Sequence, residues 1–158
     1  MVLEFDAPLA GFAPGDWLYE GCSFQPQRAL AFLVNPFASN LVIALAGGSY
    51  GQQLSCAPKG EAQQAVLARL GNCLGGLGKL RLQASVTTDW SRNALFQGSY
   101  AYLRTGGGAA RQALAQAGGE RLHFAGEATA EVLAQTCGGA YLTGLRVAER
   151  IHAQLGIT

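Results

Sequence analysis

The chain has 158 residues and a formal net charge of +1; 49% of the residues are hydrophobic and only 13% are charged. The length suits one domain that buries about two-thirds of its unfolded surface, and the near-zero charge gives no electrostatic case for binding nucleic acid or an anionic membrane. The charged share is roughly half the usual one, so we expect the chain to bury part of its surface against something else.

The sequence contains no recognisable targeting segment. Residues 1–6 predict a strand, not the charged and apolar regions of a signal peptide, and no apolar run approaches the length of a transmembrane helix. The four cysteines are scattered without a C-x-x-C pair, which favours buried reduced thiols over disulfides or a metal site. We therefore predict a cytoplasmic protein without a metal.

The first part of the chain predicts a sheet of short strands. Apolar residues alternate or run together between turn-forming residues at 2–6, 17–22, 28–34 and 41–46. Residues 35–40 predict a turn, and Gly47-Gly48 end the fourth strand. Short connections between strands favour an antiparallel or mixed sheet.

The middle of the chain predicts a covering helix at residues 59–74. Ala62, Val66, Leu70 and Leu74 fall on one face of it, and Gly75-Gly76 end it. A further strand is predicted at 80–90 and a short helix at 109–117. Gly106-Gly-Gly108 comes before that helix without a strong strand or a ribose-binding acid, so we predict a loop there.

The last part of the chain predicts a cofactor cradle. Residues 122–125 predict a short buried strand that ends at Gly126-Glu127, and a helix begins near Gly138-Gly139-Ala140. The apolar residues that we expect on the inner face of this helix are Tyr141, Leu145, Ala148, Ile151 and Leu155. A glycine helix start leaves backbone N–H groups open to a large anionic or planar ligand, and the Glu127 carboxylate would accept a hydrogen bond from a hydroxyl at its edge.

The two segments of this cradle carry a family resemblance. R-L-H-F-A-G-E-A-T (121–129) and T-x-x-G-A-Y-L-T-G-L-R-V-A-E-R-I (136–151) resemble the C-terminal FAD-binding signature of the flavin-containing amine oxidases. Residues 35–48 are similar to that family's substrate-domain strand. Asp89-Trp90, the run 98–102 and Gly106 are similar to its W…G-S-Y-S-Y…G block. The resemblance covers nearly the whole chain, in the family's order.

The resemblance implies cofactor-binding roles for five residues. Gly126 and Glu127 match residues that contact the FAD pyrophosphate and ribityl chain. Thr136, Gly139 and Ala140 match the helix start that lies against the flavin ring. The alternative is a turn with a solvated carboxylate, followed by an ordinary helix start capped by Thr136 or a glycine.

Two aromatic residues are the candidate catalytic positions. Tyr100 matches one wall of the cage that guides a neutral amine to the flavin, and Trp90 matches another aromatic position near it; the alternative is that both are core aromatics. The second cage position falls at Thr136, so the aromatic sandwich of monoamine oxidases is not reproduced. Ser99 stands where some relatives carry the cysteine that bonds flavin covalently, which implies non-covalent FAD.

Two features of the family's pattern are missing from the sequence. It has no G-x-G-x-x-G element, and the lysine that the family places near the flavin would fall at or just before Met1. We therefore expect the C-terminal third of an amine oxidase, with residues 1–104 as a substrate-domain-like part and 105–158 as the C-terminal part of the FAD-binding domain. The predicted fold class is α/β (α+β): an antiparallel or mixed sheet with a helix, plus the strand and helix of an incomplete Rossmann-like domain.

The function implied by the resemblance is oxidation of the C–N bond of a small-molecule amine to an imine, with FAD as hydride acceptor. Two hypotheses stay open. The chain is one part of a working oxidoreductase, joined to an N-terminal FAD-binding polypeptide, or it is a truncated, non-catalytic module that self-associates as a homodimer without FAD. Because adenine and diphosphate sites are missing, we expect negligible FAD affinity and no activity from these 158 residues alone.

Overall fold

The computed structural model describes residues 1–21, 28–116, 118–119 and 121–156. The chain forms two compact units, Met1–Gly98 and Ser99–Thr158. The division into compact units rests on packing and gives no information about what each unit binds. The assignment of residues 1–104 to a substrate-domain-like part and of 105–158 to part of an FAD-binding domain therefore stays a prediction.

The first unit is built on a five-stranded antiparallel sheet. Its strands are β1 (Val2–Phe5), β2 (Asp16–Tyr19), β3 (Ala31–Val34), β4 (Leu41–Leu45) and β5 (Leu82–Val86). Their spatial order is β2-β3-β4-β1-β5, and every neighbouring pair is antiparallel. The sheet and its helices confirm the predicted α+β fold class, with the antiparallel alternative realised.

Two helices accompany the sheet, α1 (Gly48–Cys56) and α2 (Lys59–Leu74). The bounds of α2 agree with the predicted helix, and Gly75 ends it in the left-handed conformation (φ 70°). The sequence did not predict α1, because Gly47-Gly48 signal a turn and Tyr50 is the only buried residue of this helix. Gly51 lets α1 approach Ala46, the residue that follows β4, since a Cβ at Gly51 would lie 2.8 Å from the Ala46 carbonyl oxygen.

One face of the sheet and one face of α2 form the core of the first unit. Alternating strand residues and the predicted stripe of α2 belong to one buried cluster, which includes Leu3, Phe5, Phe32, Val34, Val42, Val66 and Leu70. Ala62 is also buried and Leu74 is half-buried. The helical period of the sequence therefore predicted the inner face of α2 correctly.

All five strands predicted in the first unit are shorter in the structure, three of them by two or more residues. The region 80–90 forms a strand only at Leu82–Val86, 28–34 only at Ala31–Val34, and 17–22 forms Asp16–Tyr19, with Cys22 outside the described residues. A strand persists only while a neighbour continues the hydrogen-bond ladder. The partner of β5 is β1, which is four residues long, so the ladder ends well before Trp90.

The second unit contains α3 (Ala110–Gln116), a 3₁₀ turn (Glu127–Thr129) and α4 (Cys137–Leu155). The strand predicted at 122–125 is wrong: these residues form no strand, and Leu122 is exposed. A strand needs a partner, and the described residues after Gly98 contain no strand that could pair with this segment.

The inner face predicted for α4 is also wrong. Tyr141, Leu145 and Leu155 are exposed, whereas Gly139 and Thr143 are the buried residues of the helix. α4 packs against the Glu127–Thr129 turn, and small residues allow that close approach. The apolar stripe that hydropathy predicted on α4 is not covered by any other described residue of this unit.

The Cys73 thiol gives the first testable prediction. Burial raises the pKa of Cys73 above its usual value, which lowers the thiolate fraction at neutral pH. We expect Cys73 to react with iodoacetamide more slowly than Cys56 and Cys137, which are exposed. Timed labelling followed by peptide mass mapping measures the order of the rates; labelling of Cys73 first would contradict its burial.

Candidate functional site

The Gly126–Glu127 turn is fixed by backbone conformation and by α4. Gly126 has φ 127° and ψ 169°, a region that essentially only glycine adopts. Its carbonyl oxygen accepts hydrogen bonds from the Thr129 amide (3.0 Å) and hydroxyl (2.9 Å). Its amide donates to the Thr143 hydroxyl at 2.9 Å, which ties the turn to α4. Any side chain at Gly126 would strain this turn.

The Glu127 carboxylate, expected at a cofactor's edge, binds backbone groups of its own unit. Oε1 accepts from the Ala101 amide at 2.7 Å, and Oε2 accepts from the Gln135 amide at 2.9 Å. Nη1 of Arg111 lies 3.9 Å from Oε2. Each carboxylate oxygen can accept a second hydrogen bond, so these contacts leave capacity for a ligand hydroxyl.

The start of α4 is capped by Thr136. Its hydroxyl oxygen accepts from the Gly139 amide at 3.0 Å, and its carbonyl oxygen accepts from the Ala140 amide at 3.1 Å. The backbone amides of Cys137 and Gly138, also at this helix end, have no hydrogen-bond acceptor among the described residues. The open end of this helix therefore lies at residues 137–138.

Gly138 and Gly139 differ in what surrounds them. A Cβ at Gly139 would lie 2.1 Å from the Leu133 carbonyl oxygen, so the chain itself occupies that space. A Cβ at Gly138 would meet only the Leu133 Cδ1 and Thr136 Oγ1 atoms, at 3.6 and 3.7 Å. Packing against Leu133 thus requires a glycine at position 139. At Gly138 the space is free, and the lack of a side chain leaves the backbone open to a ligand. The flavin contact predicted for Gly139 stays a prediction.

These residues fit an electron-rich, planar group such as the flavin ring. Free amides at a helix N-terminus attract partial negative charge, and Gly138 allows a flat group to approach them. Ala140, the other predicted contact, is half-buried behind the Thr136 cap. The donor set of the open helix end therefore suits the group that the sequence predicted.

The two candidate aromatic residues belong to different units. Trp90 is 47% exposed and packs edge-to-face on Phe96, with ring centroids 5.3 Å apart. Tyr100 is 61% exposed and directly precedes Ala101, whose amide binds Glu127. Neither aromatic is a core residue of its own unit, and both remain predicted site residues.

Sequence reasoning missed three residues that organise this site: Arg111, Gln135 and Thr143. Arg111 is buried on α3 and donates hydrogen bonds to carbonyl oxygens of the Glu127–Thr129 turn. One signal was available, because Arg111 is the single charged residue in the glycine- and alanine-rich stretch 106–117. Gln135 and Thr143 gave no such signal, since polar residues are common in loops and helices.

In the portions of the chain that the structure describes, no group of three or more His, Cys, Asp or Glu side chains could hold a metal ion. Within the same portions, no helix combines the length and hydropathy needed to cross a bilayer.

Comparison with known proteins identifies relatives of this chain. A sequence 35% identical over 113 residues is the lysine-specific histone demethylase 1 homolog 2 of Arabidopsis thaliana; the match covers 70% of this chain and 15% of the relative. The histone demethylase-like protein A of Aspergillus fumigatus is 32% identical over 111 residues, covering 70% of this chain and 10% of the relative. The human lysine-specific histone demethylase 2 is 42% identical over 67 residues, covering 42% of this chain and 8% of the relative.

The chain thus corresponds to less than a fifth of the length of these relatives. The family model of the flavin-containing amine oxidoreductases matches residues 15–152. That match takes in β2 through most of α4 and includes every candidate site residue of both units. This chain therefore belongs to the flavin-containing amine oxidoreductase family.

Proposed function

We propose that this chain supplies the C-terminal part of the flavin site in an FAD-dependent amine oxidoreductase. The observation that carries the proposal is the open end of α4, where the amides of Cys137 and Gly138 lack an acceptor among the described residues. The Gly126–Glu127 turn is tied to the same helix through Thr143. Membership in a flavin-containing family supports the assignment of these groups to the cofactor.

The chemistry follows from the family and the donor set. FAD, when bound, supplies the hydride acceptor that oxidises the C–N bond of an amine to an imine. With FAD bound, the N-terminus of α4 would hold the electron-rich edge of the ring; a favourable interaction of a negative charge with a helix dipole contributes about 0.3–1 kcal/mol. Tyr100 has an exposed ring whose π-face would be available to the amine. Ser99 offers no thiol, so the cofactor is held non-covalently.

The remaining cofactor contacts are proposed to come from a partner. The dinucleotide fold binds diphosphate with a G-x-G-x-x-G turn, which the 158 residues do not contain. We infer that a separate polypeptide segment provides this turn. The substrate is an amine, and because the named relatives are lysine-specific histone demethylases, a peptide with methylated lysine is the first amine to test.

The test measures flavin content with and without the missing turn. We expect the purified chain alone to retain far less than one flavin per chain. A fusion that places the N-terminal FAD-binding part of a family member, including its G-x-G-x-x-G turn, before Met1 is expected to retain flavin stoichiometrically, and an accepted amine bleaches its absorbance under anaerobic conditions. A correctly folded fusion that retains no flavin would overturn the proposal, with circular dichroism as the control for folding.

A non-catalytic, self-associating module is the second candidate. The exposed apolar side chains of α4, among them Tyr141, Leu142 and Leu145, favour it, because such a stripe is stabilised when another surface covers it. Light scattering over a range of concentrations separates the two candidates. A concentration-dependent homodimer without flavin supports the module, whereas a chain that takes up flavin only with the added segment supports the oxidoreductase.

A further inference from the structure

Arg111 is a buried cation that links two distant segments of the second unit. The residue is only 8% exposed. Its Nη1 donates to the carbonyl oxygens of Glu127 (3.1 Å) and Ala128 (3.2 Å), and its Nη2 donates to the Ala101 carbonyl oxygen (3.1 Å). One guanidinium group therefore joins the segment after Tyr100 to the turn after Gly126.

Removing a guanidinium group from water costs free energy that its hydrogen-bond partners must offset. The partners of Arg111 therefore indicate its structural role. The closest carboxylate oxygen, Oε2 of Glu127, is 3.9 Å from Nη1, whereas three carbonyl oxygens lie at hydrogen-bonding distance. Hydrogen bonds from a charged donor are roughly twice as strong as neutral ones. The rigid fork of Arg111 thus fixes backbone geometry, and its charge is balanced by Glu127.

Glu127 and Gln135 close the network. The Glu127 carboxylate accepts from the amides of Ala101 and Gln135, and the Gln135 side-chain amide donates to the Ala101 carbonyl oxygen at 3.0 Å. We call these four residues, Ala101, Arg111, Glu127 and Gln135, the Arg111 clasp. Both backbone groups of Ala101 are engaged in it, so three chain segments are held at one point.

Every candidate site residue outside α4 in this unit adjoins the clasp or belongs to it. Tyr100 precedes Ala101, Gly126 precedes Glu127, and Thr136 follows Gln135. We propose that Arg111 is a positioning residue that sets Tyr100, Glu127 and Thr136 relative to one another and thereby determines flavin affinity. The part that concerns flavin rests on the proposed function; the part that concerns the three segments does not.

Two substitutions separate the charge of Arg111 from its shape. Arg111→Met keeps an apolar stem and removes every donor. Arg111→Lys keeps the charge, but one ammonium group cannot reproduce a planar fork that donates in two directions. Arg104→Met is the matched control, because Arg104 is an exposed arginine of the same unit whose side chain makes no hydrogen bond or ion pair in the described structure.

Hydrogen exchange in the full chain tests the clasp without cofactor. The amides of Ala101 and Gln135, which donate to Glu127, are expected to exchange about tenfold faster in Arg111→Met, the factor that matches the loss of one net hydrogen bond. Arg111→Lys is expected to give an intermediate rate, and Arg104→Met to leave both amides unchanged. If Arg111→Met does not fold, the lysine variant decides; wild-type rates for both amides in that variant would overturn the inference.

Flavin binding in the fusion protein described above tests the consequence. Arg111→Met is expected to weaken flavin binding about tenfold or more and to raise KM for the amine, with partial recovery in Arg111→Lys. Wild-type affinity in both variants, despite faster exchange at Ala101 and Gln135, would overturn the link to flavin. Failure of the unsubstituted fusion to bind flavin would overturn the proposed function instead, while the exchange rates still decide whether Arg111 sets the three segments.

Discussion

Replacing Leu70 with alanine is expected to lower the free energy of unfolding of the first unit by about 2–5 kcal/mol. Leu70 lies on α2 and is 0% exposed within the core cluster. The substitution removes buried methyl groups and leaves a cavity, because the strand residues around it can relax only partly. Folded domains have a total stability of about 5–15 kcal/mol, so this loss would unfold a substantial fraction of a marginal unit.

Tryptophan fluorescence during urea unfolding measures this effect. Both tryptophans of the chain, Trp17 and Trp90, lie in the first unit, so the signal reports on that unit. Leu95→Ala is the matched control, since it removes the same atoms from a residue that is 89% exposed. The control is expected to change stability by no more than about 0.5 kcal/mol. Equal midpoints for the two variants would contradict the packing of α2 on the sheet.

The first unit was the more predictable one because its signals are local. In α2, the stripe that includes Val66 and Leu70 repeats at helical spacing, and Gly75 ends the helix in the conformation that favours glycine. These properties depend on neighbours along the chain. The exact strand ends were not predictable, because they depend on the length of the paired strand, as the pairing of β5 with β1 shows.

The second unit was less predictable because its structure depends on contacts between distant residues. Leu122–Ala125 has the composition of a strand but no strand to pair with in the described part of its unit, and α4 buries Gly139 and Thr143 instead of its larger apolar residues. Hydropathy scales cannot identify a face that is buried because it is small.

The candidate site shows the same division between local and long-range information. Gly126, Glu127 and Thr136 were chosen as candidates through their resemblance to a family signature, and the structure brings them together with the segment of Tyr100. Arg111 was not found, because its role arises from three carbonyl oxygens supplied by segments 10 and more residues away. A charged residue in an otherwise small and apolar stretch is the sequence feature that would have indicated it.

Replacing Gly139 with alanine is expected to destabilise the second unit by about 1–3 kcal/mol, the usual cost of forcing extra atoms into a packed site. The new Cβ would lie 2.1 Å from the Leu133 carbonyl oxygen and 3.1 Å from the Ala130 Cβ. Since the first of these is a backbone atom, the loop must move. That loop also carries the contact in which the Thr136 hydroxyl donates to Leu133 at 2.6 Å, so the cap of α4 would be disturbed as well.

Gly138→Ala is the matched control, and it separates packing from ligand binding. Its Cβ finds only ordinary contacts, and alanine favours a helix over glycine by up to about 1 kcal/mol, so the fold should be unchanged or slightly more stable. The same methyl group would stand beside the open amides of Cys137 and Gly138, and under the proposed function it lowers flavin affinity in the fusion protein.

Hydrogen exchange of the α4 amides measures the change in stability of each variant, and flavin titration of the fusion protein measures the change in flavin affinity. Slower or unchanged exchange in Gly139→Ala would contradict the close approach of Leu133. Wild-type flavin affinity in Gly138→Ala would mean that the open helix end is not the flavin contact.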